Sequence, residues 1–165
     1  MSPSGTVIRV QEADFDVGAE IAAVSDGQPS VGGVAAFVGL VRDIAGGAAV
    51  AAMTLEHYPG MTEKALAAIA AEARSRWPLD GVCIVHRFGR LLPGDRIVLV
   101  VTASAHRDAA FDGCRFLMDW LKTKAPFWKR EETPDGDRWV AARSDDDRAA
   151  ERWLATPAPL SEKAP

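Results

Sequence analysis

The chain has 165 residues, of which 48% are hydrophobic and 25% are charged, and its formal net charge is −4. This length and composition fit one globular domain with a sizeable core, and they exclude a disordered protein. The acidic balance argues against broad nucleic-acid binding, which normally requires a basic surface. The longest apolar run falls far short of the ~20 residues of a membrane helix, and residues 1–5 do not resemble a signal peptide, so we expect a cytoplasmic protein.

The first half of the chain contains short β-branched runs and two segments of helical periodicity. Apolar residues from Leu66 to Trp77 recur every three or four positions, which predicts an amphipathic helix. The predicted elements are a strand over 6–10, a helix over 16–25, a buried strand over 31–41, a mobile loop over 43–47, a strand over 50–58 and a helix over 62–77 capped by Thr62.

The second half predicts antiparallel pairing around one long helix. The predicted elements are a hairpin of strands 82–88 and 97–103, a helix over 108–124 that buries Phe111, Cys114, Leu117, Met118 and Leu121, a hairpin of strands 127–132 and 138–142, and a last helix from Ser144. Regular strand–helix–strand alternation is missing, so the pattern predicts an α+β fold. We expect a single domain over 1–155 and a disordered tail over 156–165.

The sequence lacks the patterns of several kinds of chemistry. Its histidines and cysteines show none of the spacings typical of zinc sites, and it contains neither a GxSxG nucleophile motif nor a phosphate-binding glycine loop. We therefore expect no metal and no cofactor. Cys114 lies on the apolar face of a predicted helix and is interpreted as a core residue.

Basic side chains are the remaining candidates. They lie at strand ends and helix termini, namely Arg42, His106, Arg107, Lys122, Lys129 and Arg130. If these side chains converge, they would form a pocket for an anion such as a phosphate, because charge-assisted hydrogen bonds to phosphate are strong. A lysine crowded by other cations could then act as an acid or a base.

Each basic residue also has an ordinary structural interpretation. Lys122 could pair with Asp119 on a solvated helix face, and His106 could be an interior histidine. Residues 129–132 could form a charged hairpin edge, and Arg42 could be simply solvated. From the residues alone, the sequence supports an α+β domain with a candidate anion pocket and names no reaction.

Several segments, in order along the chain, resemble one protein family. They are residues 37–42 (FVGLVR), 55–61 (LEHYPGM), 86–89 (HRFG), 104–107 (SAHR), 118–131 (MDWLKTKAPFWKRE) and 136–140 (GDRWV). Taken together, they resemble the large, catalytic subunit of molybdopterin synthase over about residues 6–153. The run over 118–131 is the most specific. Three features depart from the family pattern: the loop that follows Arg42, the residue Trp120, and the tail that follows Trp153.

The resemblance implies an enzyme, a sulfurtransferase of molybdenum cofactor biosynthesis. Such proteins convert cyclic pyranopterin monophosphate to molybdopterin with two sulfurs from the C-terminal Gly-Gly thiocarboxylate of a small ubiquitin-like partner. The implied assembly is a homodimer of large subunits within a heterotetramer. The resemblance implies no resident cofactor and no binding to nucleic acid or to a membrane. The implied fold is α+β, of the α/β hammerhead type, with an additional antiparallel β subdomain.

The resemblance also implies roles for individual residues. Lys122 and Lys129 match the catalytic lysines of the family. The resemblance implies that Lys122 contacts the thiocarboxylate and that Lys129 binds the pterin. The implied substrate-binding residues are Leu40, Val41 and Arg42 at a strand end, His106 and Arg107 at the phosphate, Arg130 and Glu131 beside Lys129, and Arg143 from the neighbouring subunit. Two other classes stay open, a non-catalytic adaptor for a ubiquitin-like tail and a phosphate-binding enzyme that needs no protein partner.

Overall fold

The computed structural model describes residues 5–140 and 144–154, the side chains of 144 and 145 excepted, and these residues form the predicted α+β fold. The strands are β1 (Thr6–Gln11), β2 (Gly33–Leu40), β3 (Ile44–Ala45), β4 (Ala48–Ala49), β5 (Ala52–His57), β6 (Leu79–Arg87), β7 (Gly89–Leu91), β8 (Arg96–Ser104), β9 (Phe127–Thr133) and β10 (Gly136–Val140). The helices are α1 (Val17–Ser25), α2 (Met61–Arg76), α3 (Arg107–Lys124) and α4 (Ser144–Glu151).

The first sheet has the strand order β1-β6-β8-β2, and helices cover both of its faces. Strands β1 and β6 are parallel, whereas β6 with β8 and β8 with β2 are antiparallel. Because both faces are buried, the central strands are continuous apolar runs. Val82 and Ile84 pack against α2 and α3, whereas Cys83 and Val85 pack on the side of α1.

The main core lies between this sheet and the two long helices. As predicted, the stripe of α2 is buried there, and so are the apolar residues in the second half of α3. The buried residues are Leu66, Ile69, Ala70, Ala73 and Trp77 on the first helix face and Cys114, Leu117, Met118 and Leu121 on the second.

Two details of these helices differ from the prediction. Phe111 is 64% exposed although it lies on the same face of α3 as Met118, because a groove opens above it. The N-cap of α2 is Gly60, at a φ of 84° that favours glycine, and not Thr62. Thr62 is buried and donates its hydroxyl proton to the carbonyl oxygen of Tyr58.

The second sheet has the order β10-β9-β5-β7, is antiparallel throughout, and is the additional antiparallel part of the expected fold. Its inner face packs Leu55 and Leu91 against Val41. Its outer face is open, with Trp128 49% exposed and Trp139 58% exposed. The sheet therefore has a clear inside and outside, and side chains alternate between them along each strand.

Two predicted connections were wrong in detail. Strands β6 and β8 do pair antiparallel, but β7 lies between them in the chain and joins the second sheet. The expected mobile loop over 43–47 is part of a small hairpin, β3–β4, whose turn is Gly46-Gly47 with φ of 57° and 78°. Such a turn requires positive φ at both central positions, which glycine supplies. The tail over 156–165 lies outside the described residues.

Candidate active site

A groove of about 390 Å³ lies between β2 and α3. Its apolar lining includes Phe37, Phe111 and Met118, and its polar lining includes Lys122 and Asp146. Met118 and Lys122 share a face of α3 because they are four residues apart. The groove is therefore an apolar channel whose polar wall carries two cations, Arg115 and Lys122, and two carboxylates, Asp119 and Asp146.

Lys122 has a carboxylate neighbour across the groove. Its Nζ lies 3.5 Å from Asp146 Oδ1 on α4, and its side chain is 45% exposed. Asp119, the alternative partner considered from the sequence, instead accepts a hydrogen bond of 2.8 Å from Trp153 Nε1. The Trp153 ring packs edge-on against Trp77 at 5.3 Å, so the end of the α4 segment is anchored on the main core.

Lys129 lies where the two sheets meet. It is opposite Leu55 on β5, and it shares the inner face of β9 with Phe127 and Glu131. The ring of Phe127 stacks on His86, with centroids 3.7 Å apart and an interplanar angle of 16°. Because His86 belongs to β6 of the first sheet, this stack joins the two sheets beside Lys129.

His86 is a neutral imidazole in this position. It is buried, and its Nδ1 lies 2.7 Å from the carbonyl oxygen of Arg87. A carbonyl only accepts hydrogen bonds, so Nδ1 carries the proton and Nε2 is an acceptor. Burial lowers the pKa of His86 to about 4, and the positive charge of Lys129 adds to this shift.

We expect acidification to destabilise the protein through His86. Between pH 6.5 and about 4 the unfolded chain binds a proton there that the folded chain does not. The free energy of unfolding therefore decreases as the pH is lowered through this range, by up to about 1.4 kcal/mol per pH unit. In His86→Asn this part of the slope should disappear, as measured by urea unfolding in that range. Equal slopes in wild type and variant would contradict the expectation.

The strand end that precedes Arg42 lies on the same side of the molecule as His86. Gly39 and His86 are both opposite Val98, on either side of β8. Arg42 itself is exposed. The backbone of Val41 was expected to border substrate, but its amide already donates to Asp95 O at 2.9 Å and its carbonyl accepts from Gly94 N at 2.8 Å. Val41 therefore has no free amide to offer a ligand.

Leu40, the other residue of this strand end, differs from Val41. It is 52% exposed, and the strand pairing shifts by a bulge between Gly39 and Leu40. A bulge re-aims the side chains that follow it. Leu40 is therefore accessible, whereas Val41 belongs to the small core under the second sheet.

His106 and Arg107 are at the opposite end of β2. A Cβ added at Gly33, the first residue of β2, would lie 3.6 Å from the Cα of Arg107. An eight-residue strand is roughly 23 Å long from first to last Cα, and α3 separates Arg107 from Lys122 by roughly as much. Within one chain, the predicted cations therefore do not converge on a single pocket.

Arg130 and Glu131, which were expected beside Lys129, lie on different faces of β9. Strand alternation places Arg130 on the outer face, where its guanidinium lies 5.9 Å from the ring of Trp139. Glu131 is on the inner face with Lys129 but is buried, and it accepts hydrogen bonds from Arg138. Arg143 lies outside the described residues.

Neither cysteine is available as a nucleophile. Burial raises the pKa of the Cys114 thiol to about 11 and also raises the pKa of Cys83. The thiolate is the reactive form of cysteine, so both side chains are inert near neutral pH.

Three residues of the site were missed from the sequence. His86 stands inside a segment that carried the resemblance, so its importance was indicated, but its burial could not be predicted from the sequence. Asp146 lies in an acidic run that is ordinary at a helix start. Arg138 also stands in a segment that carried the resemblance, residues 136–140, but its role follows only from the pairing of β9 with β10.

The described residues form neither a metal cluster nor a membrane-spanning helix. In residues 5–140 and 144–154, no three His, Cys, Asp or Glu side chains come together so as to hold a metal ion. Within the same described ranges, no helix combines the length and the apolar character needed to cross a membrane.

Comparison with known proteins identifies the family. The family model for the MoaE protein matches residues 10–124. A molybdopterin synthase catalytic subunit from Ralstonia nicotianae is 60% identical over 146 residues, which are 88% of this chain and 83% of that protein. The chain belongs to the MoaE family.

Solved structures agree with this assignment. The molybdopterin biosynthesis MoaE protein from Burkholderia ambifaria is 59% identical, with a TM-score of 0.78 over 92% of this chain and 99% of that one. The molybdopterin synthase from Staphylococcus aureus is 29% identical, with a TM-score of 0.75 over 81% and 96%.

Proposed function

We propose that this chain is the catalytic subunit of a molybdopterin synthase. It takes two sulfurs from the C-terminal thiocarboxylate of a small ubiquitin-like carrier and adds them to cyclic pyranopterin monophosphate. The observation that carries the proposal is the placement of Lys122 on the wall of an apolar groove, in a chain 60% identical to a protein of that activity. The inert cysteines agree, because the sulfur is then the carrier's.

The groove suits the end of an extended carrier tail. A tail that ends in Gly-Gly has no side chains there, so a channel beside Phe37, Phe111 and Met118 can accept its backbone. The ammonium of Lys122 would then neutralise the thiocarboxylate through a charge-assisted contact. Its present neighbour, Asp146 at 3.5 Å, is itself a carboxylate, which supports the proposal that an anionic group is bound there.

Lys129 is proposed to act on the pterin. It projects from the inner face of β9, beside the neutral ring of His86. A positively charged His86 would repel the ammonium of Lys129, whereas the neutral imidazole does not. Lys129 can therefore hold the anionic substrate or exchange a proton with the ring carbon under attack, while exposed Arg42 borders the substrate on the same side.

The phosphate-binding pair belongs, in this proposal, to a site shared between subunits. One small substrate cannot touch both Lys122 and Arg107 of the same chain, because they are roughly 22 Å apart along α3. A second copy of the chain can supply His106 and Arg107, as it was expected to supply Arg143. The homodimer is then part of the active site.

Mixed dimers test this sharing directly. Lys122→Ala and Arg107→Ala chains are each expected to be inactive alone. Refolded together, they should regain about a quarter of wild-type activity, because half of the dimers are mixed and each contains one intact site. No recovery in verified mixed dimers would place both residues in one chain's site, and an active Arg107→Ala protein would remove Arg107 from the site.

Reconstitution tests the function itself. The chain is combined with a thiocarboxylated ubiquitin-like carrier and cyclic pyranopterin monophosphate, and molybdopterin is detected as its fluorescent oxidised derivative. Product that depends on the carrier is expected. A stable complex without product would favour the adaptor, and turnover without any carrier would favour a partner-independent enzyme.

The cytoplasm is the proposed compartment. Cys83 and Cys114 are both free and buried, and reduced cysteines are the rule in the cytosol.

A further inference from the structure

Arg138 makes an unusual set of contacts for a residue of an edge strand. Its Nη2 donates both to Glu131 Oε2 at 2.9 Å and to the carbonyl oxygen of Ala45 at 2.8 Å, and its Nε donates to the same carboxylate at 3.2 Å. Glu131 lies directly opposite on β9, whereas Ala45 belongs to the β3–β4 hairpin, 93 positions away in the chain. The guanidinium thus connects the second sheet to the segment that follows Arg42.

The carboxylate in this cluster is well suited to hold an arginine in place. Glu131 is 3% exposed and therefore buried, while Arg138 reaches it from a side chain that is 44% exposed. A buried carboxylate without a partner is costly, so Glu131 fixes the guanidinium in one orientation. The second N–H of Nη2 then points at the hairpin, where a Cβ added at the turn glycine Gly46 would lie 3.8 Å from Nη2.

Arg42 lies between two anchored points. On one side, Val41 is bonded through both backbone groups to the turn at Gly94 and Asp95. On the other side, the hairpin closes where Val50 N donates to Asp43 O at 2.7 Å, and Ala51 N donates to β9 at 2.9 Å. The side chain of Arg138 adds a hydrogen bond that ties the hairpin to the second sheet.

We propose that Arg138, oriented by Glu131, is a positioning residue that holds the β3–β4 hairpin and thereby places Arg42 for substrate. The inference rests on the proposed function for its kinetic consequence. It also assigns Glu131 a role different from the one implied by the resemblance, because its carboxylate acts through Arg138 and not on the substrate.

The chain offers a matched control for this cluster. Arg90 and Glu132 form the same kind of ion pair, with an Nε to Oε2 distance of 2.9 Å, in the same sheet. That pair lies on the outer face, and Arg90 is 58% exposed. Arg90→Gln thus removes an arginine–glutamate pair from the sheet without touching the hairpin.

The test compares Arg138→Gln, Arg138→Lys and Arg90→Gln in the full chain, each with its carrier. Amide hydrogen exchange over 43–51 is measured first, and then KM for cyclic pyranopterin monophosphate and kcat. For Arg138→Gln we expect exchange at Val50 and KM each to rise about tenfold or more, with kcat changed much less. Arg138→Lys keeps a cation beside Glu131 but lacks the planar guanidinium that bonds Glu131 and Ala45 together. This variant should therefore fold and still show the faster exchange and the higher KM.

Two results would overturn the proposal. Exchange over 43–51 that matches wild type and Arg90→Gln would show that Arg138 does not hold the hairpin. Faster exchange with an unchanged KM would show that the hairpin does not place Arg42. If the wild type forms no molybdopterin at all, the proposed function fails, whereas the exchange measurement still decides whether Arg138 holds the hairpin.

Discussion

Lys122→Ala is expected to lower the rate of molybdopterin formation by roughly a hundredfold or more while the fold stays intact. The side chain is 45% exposed on the groove wall, so its removal leaves no cavity in the core. What is lost is the cation that would meet the thiocarboxylate, and removing a group that stabilises charge or moves a proton typically costs this much. The measurement is single-turnover product formation with a thiocarboxylated carrier.

The matched control is Lys124→Ala. Lys124 is in the same last turn of α3 and is also exposed, but its ammonium lies 5.9 Å from the ring of Trp120, away from the groove. This variant should keep nearly full activity. Equal losses in both variants would mean that charge at the end of the helix matters and that Lys122 has no specific role. Unfolding of Lys122→Ala, seen as a lost thermal transition, would make Lys122 structural.

Lys129→Ala should have an effect of similar size, for a different reason. Lys129 lies beside the His86–Phe127 stack, where the two sheets meet, and it is proposed to act on the pterin. Its loss should therefore slow turnover by roughly a hundredfold without preventing the carrier from docking. Product formation and carrier affinity, measured on the same variant, separate these two effects.

Two variants sharpen this second result. Lys64→Ala deletes an exposed lysine of α2 and should behave like wild type. Lys129→Arg keeps the positive charge, but an arginine does not release a proton near neutral pH. Activity that stays low in Lys129→Arg would support proton transfer, whereas full activity would reduce the role of Lys129 to charge alone.

Much of the fold follows from hydrophobic periodicity. The stripe from Leu66 to Trp77 gave α2, and the β-branched run before Ser104 gave β8, because both elements bury long, regular faces. Short elements gave no such signal. Strand β7 has three residues and β3 and β4 have two each, so pairing across the molecule defines them and local pattern does not.

The site was harder to predict than the fold. The resemblance pointed to Lys122 and Lys129, but the arrangement of the other cations depends on strand direction and helix length. Arg107 and Lys122 lie at opposite ends of α3, so the convergence considered from the sequence does not occur within one chain. Glu131 shows the same difficulty, because only the register of β9 with β10 shows that Arg138 occupies its carboxylate.

The open face of the second sheet has an optical consequence. Trp128 and Trp139 are both about half exposed there, whereas Trp77 is buried in the main core. The two outer indoles should therefore emit at longer wavelength than Trp77 and be quenched by acrylamide. A protein that binds this face would shield the two indoles from acrylamide, whereas a tail that enters only the Lys122 groove would not. Quenching of the intrinsic tryptophan fluorescence therefore distinguishes the two modes of docking.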